Sequence, residues 1–219
     1  MEALKIKIND LGKVDYDYGI SIQKNIHKLS VNQATILILE HNKVITVGRR
    51  GSVKDILMPI DEIEKKGFSV VKTDRGGQVT IHNEGQLVCY LILPLSKFHL
   101  KPVDLIRKIE KLIINLLKNF DISSFTIKGK TGVWIKSNDI EKKIAAIGVR
   151  ISNGISMHGF ALNVDNDLKD FDLIIPCGIQ DSVVTSIENE SPIKLENSNI
   201  KSKLKSEIEK IFNCEVINE

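Results

Sequence analysis

Residues 143–164 read KIAAIGVRISNGISMHGFALNV, two segments rich in apolar and small residues. We predict one strand over residues 143–152 and a second over residues 155–164. Two further strands are predicted just before them, over residues 125–128 and 132–136. Because these strands follow one another without an intervening helix, they favour an antiparallel or mixed sheet over an alternating βαβ arrangement.

The rest of the chain shows the same grouping, with helices between and after groups of strands. Apolar alternation predicts strands over residues 4–8, 34–40, 43–47, 68–73, 78–82 and 86–93. Helical periodicity predicts helices over residues 17–29 and 103–119, and a short helix over residues 61–66 that ends at Gly67. Residues 183–187 fit either a short strand or a helix start. A C-terminal amphipathic helix is predicted from Ile200, Leu204, Ile208 and Ile211.

These elements predict an α+β fold with a mixed or antiparallel sheet and flanking helices. A chain of 219 residues is long enough to bury a sizeable core without disulfides or metal ions. No Pro-, Gly- or Ser-rich linker divides the sequence, so we expect a single domain over residues 1–219. A small C-terminal helical extension from about residue 190 stays open as an alternative.

The composition excludes several classes of protein. Hydrophobic residues make up 42% and charged residues 27%, which argues against long disorder. The longest apolar run, residues 87–95, is interrupted by Pro94 and is far shorter than the roughly 18 residues of a membrane span. The first ten residues lack the apolar stretch of a secretory signal, so a cytoplasmic location is expected. A net charge of +3 with scattered lysines argues against nucleic acid but suits an acidic partner protein.

The chain has three widely spaced cysteines, a pattern that predicts reduced thiols rather than a disulfide framework or a zinc site. Cys89 lies in an apolar strand and fits a buried small hydrophobe. Cys214 lies near a predicted helix end without a reactive neighbour. Cys177 differs because Pro176 and Gly178 place it at a rigid turn, where sulfur can face a pocket beside backbone N–H groups. From spacing alone, a nucleophile and a structural thiol remain equally open.

The segment from Arg75 to His82 combines paired glycines with polar side chains. Gly76 and Gly77 suit either a hairpin turn or the close approach of the backbone to a ligand. Period-two alternation places Gln78, Thr80 and His82 on one face of a strand. Three hydrogen-bonding side chains on one face are more than a solvent-exposed strand requires. The spacing is not that of a phosphate-binding P-loop.

Lys143 begins the strand predicted over residues 143–152. Under strict alternation its face also carries Ala145, Ile147, Val149 and Ile151, which makes it the more apolar of the two faces. A lysine there either reaches solvent from the strand end, which is the commoner outcome, or is partly desolvated, and desolvation favours a neutral amine that can act as a base. Small neighbours leave room beside it: Ala145, Ala146 and Gly148.

The last strand of this group carries His158 next to small residues. A lone histidine in a strand is more often a hydrogen-bonded structural residue than a catalytic one, and that interpretation is favoured here. Gly159 and Ala161 remove bulk where a ligand can lie.

In this order and spacing, the segments resemble the lipoyl(octanoyl) transferase family, the octanoyl-[acyl carrier protein]:protein N-octanoyltransferases. The resemblance covers about residues 11–186. Its motifs are Gly12-Lys13-Val14-Asp15-Tyr16, Gly48-Arg49-Arg50-Gly51, Arg75-Gly76-Gly77-Gln78-Val79-Thr80 with His82, Gly85-Gln86, Gly132-Val133-Trp134, Lys143-Ile144-Ala145-Ala146-Ile147-Gly148, Met157-His158-Gly159-Phe160-Ala161-Leu162-Asn163 and Pro176-Cys177-Gly178-Ile179. The chain departs from the family pattern at Ile81, usually aromatic, and at Asn83-Glu84, usually Gly-Pro, which concerns the loop after His82.

The resemblance implies a fold shared with lipoate ligases and biotin protein ligases, and an acyltransferase that needs no cofactor and no metal. The implied donor is octanoyl-acyl carrier protein. The implied acceptors are lysines on the lipoyl domains of 2-oxo-acid dehydrogenase complexes and on the glycine-cleavage H protein. Cys177 is implied to carry the acyl group as a thioester, with Lys143 as its base. The residues implied to bind substrate are Arg75, Gly76, Gly77, Gln78, Val79, Thr80, Ile81, His82, Ala146, Ile147, Gly148, Gly159, Phe160 and Ala161.

Two other functions compete with acyl transfer. An ATP-dependent lipoate or biotin ligase of the same fold would use a lysine but would not need Cys177. A non-catalytic module that docks acyl carrier protein or lipoyl domains is suggested only by the altered loop at Asn83-Glu84. Neither a nucleic acid nor a membrane is expected as a partner.

Overall fold

A large mixed sheet and a small second sheet organise the chain. The computed structural model describes residues 4–29, 33–137, 139–175, 183–193 and 197–218. Its strands are β1 (Leu4–Val14), β2 (Ala34–His41), β3 (Val44–Val47), β4 (Ser69–Lys72), β5 (Val79–His82), β6 (Gln86–Ile92), β7 (Phe125–Ile127), β8 (Lys130–Ser137), β9 (Ile140–Ser152), β10 (Ile155–Asn163), β11 (Val183–Val184) and β12 (Cys214–Asn218). Its α-helices are α1 (Tyr16–Leu29), α2 (Ile60–Lys65), α3 (Pro102–Lys118), α4 (Ile187–Glu190) and α5 (Asn197–Phe212).

The strand order of the large sheet is β12-β1-β2-β6-β10-β9-β8-β7, and β11 pairs with β9. β1 runs parallel to both of its neighbours, and β11 runs parallel to β9. The central pairs β2–β6, β6–β10, β10–β9 and β9–β8 are antiparallel. The small sheet has the order β4-β3-β5. The predicted α+β fold with a mixed sheet is therefore confirmed.

β9 and β10 form a hairpin closed by a two-residue turn. Ser152 pairs with Ile155 at its base. Asn153 and Gly154 both have positive φ angles, 52° and 75°. A turn with two positive φ angles matches the right-handed twist of the strands, and Asn-Gly is its commonest sequence.

The two faces of the large sheet bury different clusters. On β2, Ile36 and Ile38 pack into the main core, whereas Leu37 and Leu39 pack on the opposite face against Ile22 of α1 and its neighbours. The main core lies under α3 and α5. The small sheet has its own cluster with α2. A cavity between the small sheet and the α1 face of the large sheet is therefore framed by two independently packed layers.

Helix α3 confirms the apolar stripe predicted over residues 103–119. It begins at Pro102, whose missing N–H costs nothing at a first helical position, and the Lys101 N–H donates to the Asp104 carboxylate over 2.9 Å. The buried stripe consists of Leu105, Ile109, Leu112, Ile113, Leu116 and Leu117, each 0% exposed. Burying a side chain of this size contributes roughly 1.5–3 kcal/mol, so this face anchors the helix to the sheet.

The C-terminal segment packs onto the rest of the molecule. Ile200, Leu204 and Ile208 of α5 belong to the main core cluster, and α5 contacts α3. The strand β12, which the sequence analysis did not predict, pairs in parallel with β1. Residues 183–187 contain both of the predicted alternatives, since the strand β11 is followed by the start of α4 at Ile187. Among the described helices, none is long and apolar enough to cross a membrane.

Candidate active site

A cavity of about 410 Å³ lies between the small sheet and the face of the large sheet formed by β6, β10 and β9. The small-sheet side contributes residues 77–80 and His82. The large sheet contributes Val88, Tyr90, Lys143, Ala146, Ile147, Gly148, His158, Gly159, Phe160 and Ala161. Tyr16, Arg50, Arg75, Gly129, Lys130 and Thr131 complete the lining. The cavity thus gathers side chains that are far apart in the sequence.

Most of the predicted substrate-binding residues line this cavity. They are Arg75, Gly77, Gln78, Val79, Thr80, His82, Ala146, Ile147, Gly148, Gly159, Phe160 and Ala161, and Lys143 joins them. Gly76 and Ile81 are not in the lining. The Gly76 N–H donates to the Val149 carbonyl over 3.1 Å, and Ile81 is fully buried in the cluster of the small sheet. The alternation that places Gln78, Thr80 and His82 on one face therefore sends Ile81 to the other.

Lys143 faces the cavity because of a β-bulge, not because of regular alternation. Val133 of β8 pairs with Ala145, but the next residue, Trp134, pairs with Lys143, so Ile144 is the extra residue. A bulge of this kind reverses the alternation on one side of it and re-aims a side chain. The prediction that Lys143 shares its face with Ala145 is therefore wrong. Lys143 instead joins Ala146 in the lining, whereas Ile144 and Ala145 both lie in the main core.

The Lys143 side chain is held in a buried position. The residue is 5% exposed, and its Nζ lies 5.0 Å from the centroid of the Trp134 ring. Gly132 lies beside it, where an added Cβ would come within 2.8 Å of the Lys143 Cε. A side chain at position 132 would therefore displace the lysine.

Backbone hydrogen bonds hold the loop of residues 75–78 at the cavity. The N–H groups of Gly48, Arg49 and Arg50 donate to the carbonyls of Gln78, Arg75 and Gly77 over 3.0–3.1 Å. Position 148 requires glycine, because a Cβ there would lie 2.6 Å from the Gly76 carbonyl oxygen. The loop and β9 are therefore in direct backbone contact.

Arg75 stabilises this loop from within. It is 8% exposed, and its guanidinium donates to the Thr46 carbonyl over 2.6 Å and to the Thr46 hydroxyl over 2.8 Å. It also donates to the Gln78 carbonyl over 2.8 Å. Several fixed acceptors leave this guanidinium little freedom, so Arg75 brings a positively charged, pre-oriented wall to the cavity.

A chain of side-chain hydrogen bonds links His82 to the backbone of Lys143. The His82 Nδ1–H donates to Gln86 Oε1 over 2.7 Å, and Gln86 Nε2 donates to Asn163 Oδ1 over 2.9 Å. Asn163 Nδ2 donates to the Thr185 carbonyl over 3.0 Å, and the Thr185 N–H donates to the Lys143 carbonyl over 2.9 Å. This network fixes β5, β6, β10 and β9 relative to one another.

Rings of tyrosine and histidine form a contiguous cluster at the buried side of the cavity. The Tyr16 ring stacks on His82 with centroids 6.2 Å apart, and Tyr90 lies 6.0 Å from His158. His41, behind the lining, donates from Nδ1 to the Val14 carbonyl and accepts at Nε2 from the Tyr90 hydroxyl over 2.6 Å.

Burial keeps the histidines of this cluster neutral. It lowers the pKa of His41 to about 4, against a smaller opposing effect of the Val14 hydrogen bond. Burial, reinforced by the charge of Arg75 among others, lowers the pKa of His82 and of His158 to about 3. Desolvation disfavours the charged imidazolium, so these rings act as fixed hydrogen-bonding groups at neutral pH.

His158 combines a structural hydrogen bond with a place in the lining. Its Nε2–H donates to Asp74 over 2.7 Å, and Arg150 also contacts that carboxylate. Its φ of 59° lies in the left-handed region, where non-glycine residues are uncommon. The hydrogen bond expected of a structural histidine is present at Nε2, but the buried Nδ1 has no hydrogen-bond partner among the described residues, and the ring lines the cavity.

The departures from the family pattern are accommodated away from the cavity. Asn83 is 1% exposed, and its Nδ2 donates to the Asp167 carbonyl and to the Asp170 carboxylate over 2.9 and 2.8 Å. Glu84 pairs with Lys13 at the surface over 2.9 Å. The altered loop therefore fastens β5 to the segment that follows β10.

Sequence reasoning missed several residues of the lining. Val88 and Tyr90 are not among the predicted site residues, although their period-two alternation with Gln86 on β6 is a signal in the sequence. Tyr16 and Arg50 belong to the family motifs, but their sequence context predicts no role for them. Gly129 lies in the turn between β7 and β8, and Lys130 and Thr131 begin β8, so their place at the cavity depends on the pairing of β7 with β8.

Cys177 lies outside the described residues, together with residues 176 and 178–182. Before this gap, the Ile175 N–H donates to the Asp55 carbonyl over 2.7 Å. After it, Val183 and Val184 pair with Lys142 and Lys143. The described chain therefore resumes directly beside the candidate base.

Comparison with known proteins identifies the family. Residues 15–209 match the family described as lipoyl protein ligase A/B catalytic domain. The octanoyltransferase of Acidobacterium capsulatum is 42% identical over 193 residues, which span 82% of this chain and 78% of that protein.

Solved structures support the fold. A crystal structure of lipoate-protein ligase A bound with ATP superposes with a TM-score of 0.80 at 12% identity, covering 100% of this chain and 89% of that one. A biotin protein ligase from Aquifex aeolicus, in complex with biotin and ATP, gives a TM-score of 0.58 at 16% identity over 94% of this chain and 70% of that one. The expected fold is confirmed, and the chain belongs to the lipoyl protein ligase A/B catalytic domain family and, within it, to the octanoyltransferases, which are acyltransferases.

Proposed function

We propose that this acyltransferase takes an octanoyl group from octanoyl-acyl carrier protein and delivers it to a lysine ε-amine of a lipoyl domain. The Cys177 sulfur attacks the donor thioester carbonyl, the bond to the carrier's sulfur breaks, and the carrier leaves as a thiol. The acceptor amine then attacks the new thioester, an amide forms, and a proton returns to Cys177. No ATP is consumed, because the donor is already activated as a thioester.

Lys143 is the proposed base for both steps. A free thiol is only a few per cent thiolate at pH 7, so a nearby proton acceptor raises the reactive fraction. Lys143 takes the thiol proton, and the resulting ammonium stabilises the thiolate. The observation that carries the proposal is the bulge at Ile144, which turns a buried lysine into the cavity instead of the core.

The lining supports an apolar substrate near this base. Ala146, Ala161 and Val88 present only methyl groups to a cavity of about 410 Å³. Burying an eight-carbon chain at about 0.8 kcal/mol per methylene contributes on the order of 5 kcal/mol to binding. Arg75 and the backbone of residues 77–78 provide polar groups at the same cavity.

The test is to incubate the pure protein with octanoyl-acyl carrier protein in the absence of ATP and to record its intact mass. We expect a gain of one octanoyl group that hydroxylamine removes and that Cys177→Ser does not acquire. Addition of a lipoyl domain then discharges the wild-type adduct with formation of octanoyl-lysine. Absence of any adduct on the wild-type protein would contradict the covalent mechanism.

Lys143→Ala tests the base separately. We expect the rate of adduct formation to fall by roughly 10²–10⁴-fold, the usual contribution of a positioned acid–base group. Lys142→Ala is the matched control, because Lys142 pairs with Glu190 over 3.2 Å and does not line the cavity. Equal loss in both variants would indicate a general effect on β9 instead of a chemical role for Lys143.

The ATP-dependent ligase is the alternative, favoured by the superposition on lipoate-protein ligase A at a TM-score of 0.80. It predicts no adduct with octanoyl-acyl carrier protein. It also predicts that the protein octanoylates a lipoyl domain from free octanoate and ATP, and that Cys177→Ser does not reduce this activity. The same proteins assayed in both mixtures therefore separate the two functions.

A further inference from the structure

Side-chain size increases across the floor of the cavity, from β9 to β6. In one row of paired residues, Ala146 of β9 lies opposite Ala161 of β10, which lies opposite Val88 of β6. In the adjacent row, Gly148 and Gly159 carry no side chain, and the third residue is Tyr90. In both rows the first bulky group belongs to β6.

Burial changes in the same direction. Thr131 and Gly129, near the β8 end of the lining, are exposed, and Ala146 on β9 is half-buried. Ala161 on β10 is 4% exposed and Val88 on β6 is 1% exposed. The cavity is therefore open towards β8 and β9 and closed at β6.

The closed end is rigid. The Tyr90 hydroxyl donates to His41 Nε2 over 2.6 Å, and the other nitrogen of His41 donates to the Val14 carbonyl over 2.9 Å. Val88 packs with Leu37, Leu39 and Ala161 in a single buried cluster. A side chain fixed in this way cannot move aside for a longer ligand without breaking a hydrogen bond or opening a void.

We propose that Val88 and Tyr90 form the end wall of the acyl-binding cavity and set the length of the acyl chain that the enzyme accepts. The inference rests on the proposed octanoyl transfer, with the reacting carbonyl near Lys143 on β9. Two crossings between adjacent strands, from Ala146 to Val88, cover roughly 10 Å, which is close to the length of an extended octanoyl chain. Val88 thus meets the terminal methyl of the bound chain.

The experiment compares Val88→Ala and Val88→Leu with the wild-type protein, using hexanoyl-, octanoyl-, decanoyl- and dodecanoyl-acyl carrier protein. Intact mass gives the rate of adduct formation for each donor. We expect Val88→Ala to raise the decanoyl-to-octanoyl rate ratio about tenfold, and Val88→Leu to raise the hexanoyl-to-octanoyl ratio by a similar factor, since one methylene is worth about 10–200-fold in a fitted apolar pocket. Opposite shifts from the two variants exclude a general loss of stability as the cause.

Ile92→Val is the matched control, because Ile92 is on the same strand and in the same cluster but does not line the cavity. We expect its chain-length ratios to equal those of the wild type. If the wild-type protein accepts octanoyl but both Val88 variants keep its chain-length ratios, the role of Val88 as an end wall is contradicted. The proposed octanoyl transfer is then unaffected.

A wild-type protein that forms no adduct would instead contradict the proposed transfer. The wall is then tested by calorimetric titration with hexanoate, octanoate and decanoate. Preference for a longer acid in Val88→Ala supports the wall, and identical profiles for wild type and variant reject it.

Discussion

At the scale of single residues, the Tyr90–His41 pair shows how a buried polar contact shapes the cavity. His41 is 0% exposed and Tyr90 is 4% exposed, so neither group has water as an alternative partner. Because Nδ1 of His41 is committed to the Val14 carbonyl as a donor, Nε2 must accept, and the Tyr90 hydroxyl must donate. The orientation of the Tyr90 ring is therefore set by a histidine outside the cavity lining.

Tyr90→Phe tests this pair. The ring and its apolar contacts remain, but the buried Nε2 of His41 loses its donor. We expect the free energy of unfolding to fall by about 1–3 kcal/mol, the usual cost of an unsatisfied buried polar group. Urea denaturation measures the change. Tyr18→Phe is the control, since Tyr18 is 57% exposed and its loss should cost less than about 0.5 kcal/mol. Equal midpoints for Tyr90→Phe and wild type would contradict a stabilising role for this hydrogen bond.

At the scale of secondary-structure elements, the β9–β10 hairpin carries both the bulge and the turn. The bulge at Ile144 decides which side chains of β9 reach the cavity. The turn at Asn153 and Gly154 sets the register in which Gly148 lies opposite Gly159. Because register is propagated along a ladder, a local turn determines the shape of a cavity several residues away.

Two glycine substitutions in this hairpin separate activity from stability. At Gly148, an added Cβ would lie 2.6 Å from the Gly76 carbonyl and push β9 away from the loop of residues 75–78. We expect Gly148→Ala to slow octanoyl-enzyme formation by about 10²-fold, as misplacement of a substrate-positioning group does. Intact mass against time gives the rate.

Gly154→Ala is the matched variant. Its φ is 75° and no heavy atom lies within 4 Å of an added Cβ, so only backbone strain results. We expect the free energy of unfolding to fall by about 1–2 kcal/mol, because a residue with a Cβ is strained in the left-handed conformation. The rate of octanoyl-enzyme formation should stay unchanged. If Gly154→Ala slowed the reaction as much as Gly148→Ala, the close approach at position 148 would not be the cause.

At the scale of the whole molecule, two separately packed layers enclose a set of neutral histidines. The small sheet and the α1 face of the large sheet bury His41, His82 and His158 between them. Unfolding releases these rings to water, where their ordinary pKa of about 6.5 returns. The stability of the protein is therefore linked to pH through this cluster.

The sign of this linkage follows from the lowered pKa values, about 4 for His41 and about 3 for His82 and His158. Between pH 6.5 and the folded-state values, the unfolded chain binds more protons than the native protein. Stability is thus retained above pH 6.5 and lost as the pH falls, by up to about 1.4 kcal/mol per pH unit for each histidine.

Urea denaturation at intervals from pH 7 to pH 5 checks this expectation. The comparison with His158→Asn isolates one ring. The free energy of unfolding of this variant should depend less steeply on pH than that of the wild type, by the amount that corresponds to about one bound proton. A wild-type stability that stays flat over this interval would show that the rings are not buried as neutral groups.

The order of most elements could be predicted from the sequence, because apolar periodicity is a local property that does not depend on which strands become neighbours. It placed α3, the hairpin strands and the common face of Gln78, Thr80 and His82 correctly. The Asn153-Gly154 turn also carried a local signal. The family motifs brought together most of the residues that line the cavity.

The pairing of these elements could not be predicted from the sequence. The position of β6 between β2 and β10, and of β12 beside β1, arises from contacts between distant segments. The bulge that turns Lys143 into the cavity depends on the register between β8 and β9, which strict alternation does not contain. Val88 and Tyr90 become an end wall only because Ala161 and Gly159 lie opposite them. Local sequence sets which face a side chain takes on its own strand, but the partner strands decide what that face encloses.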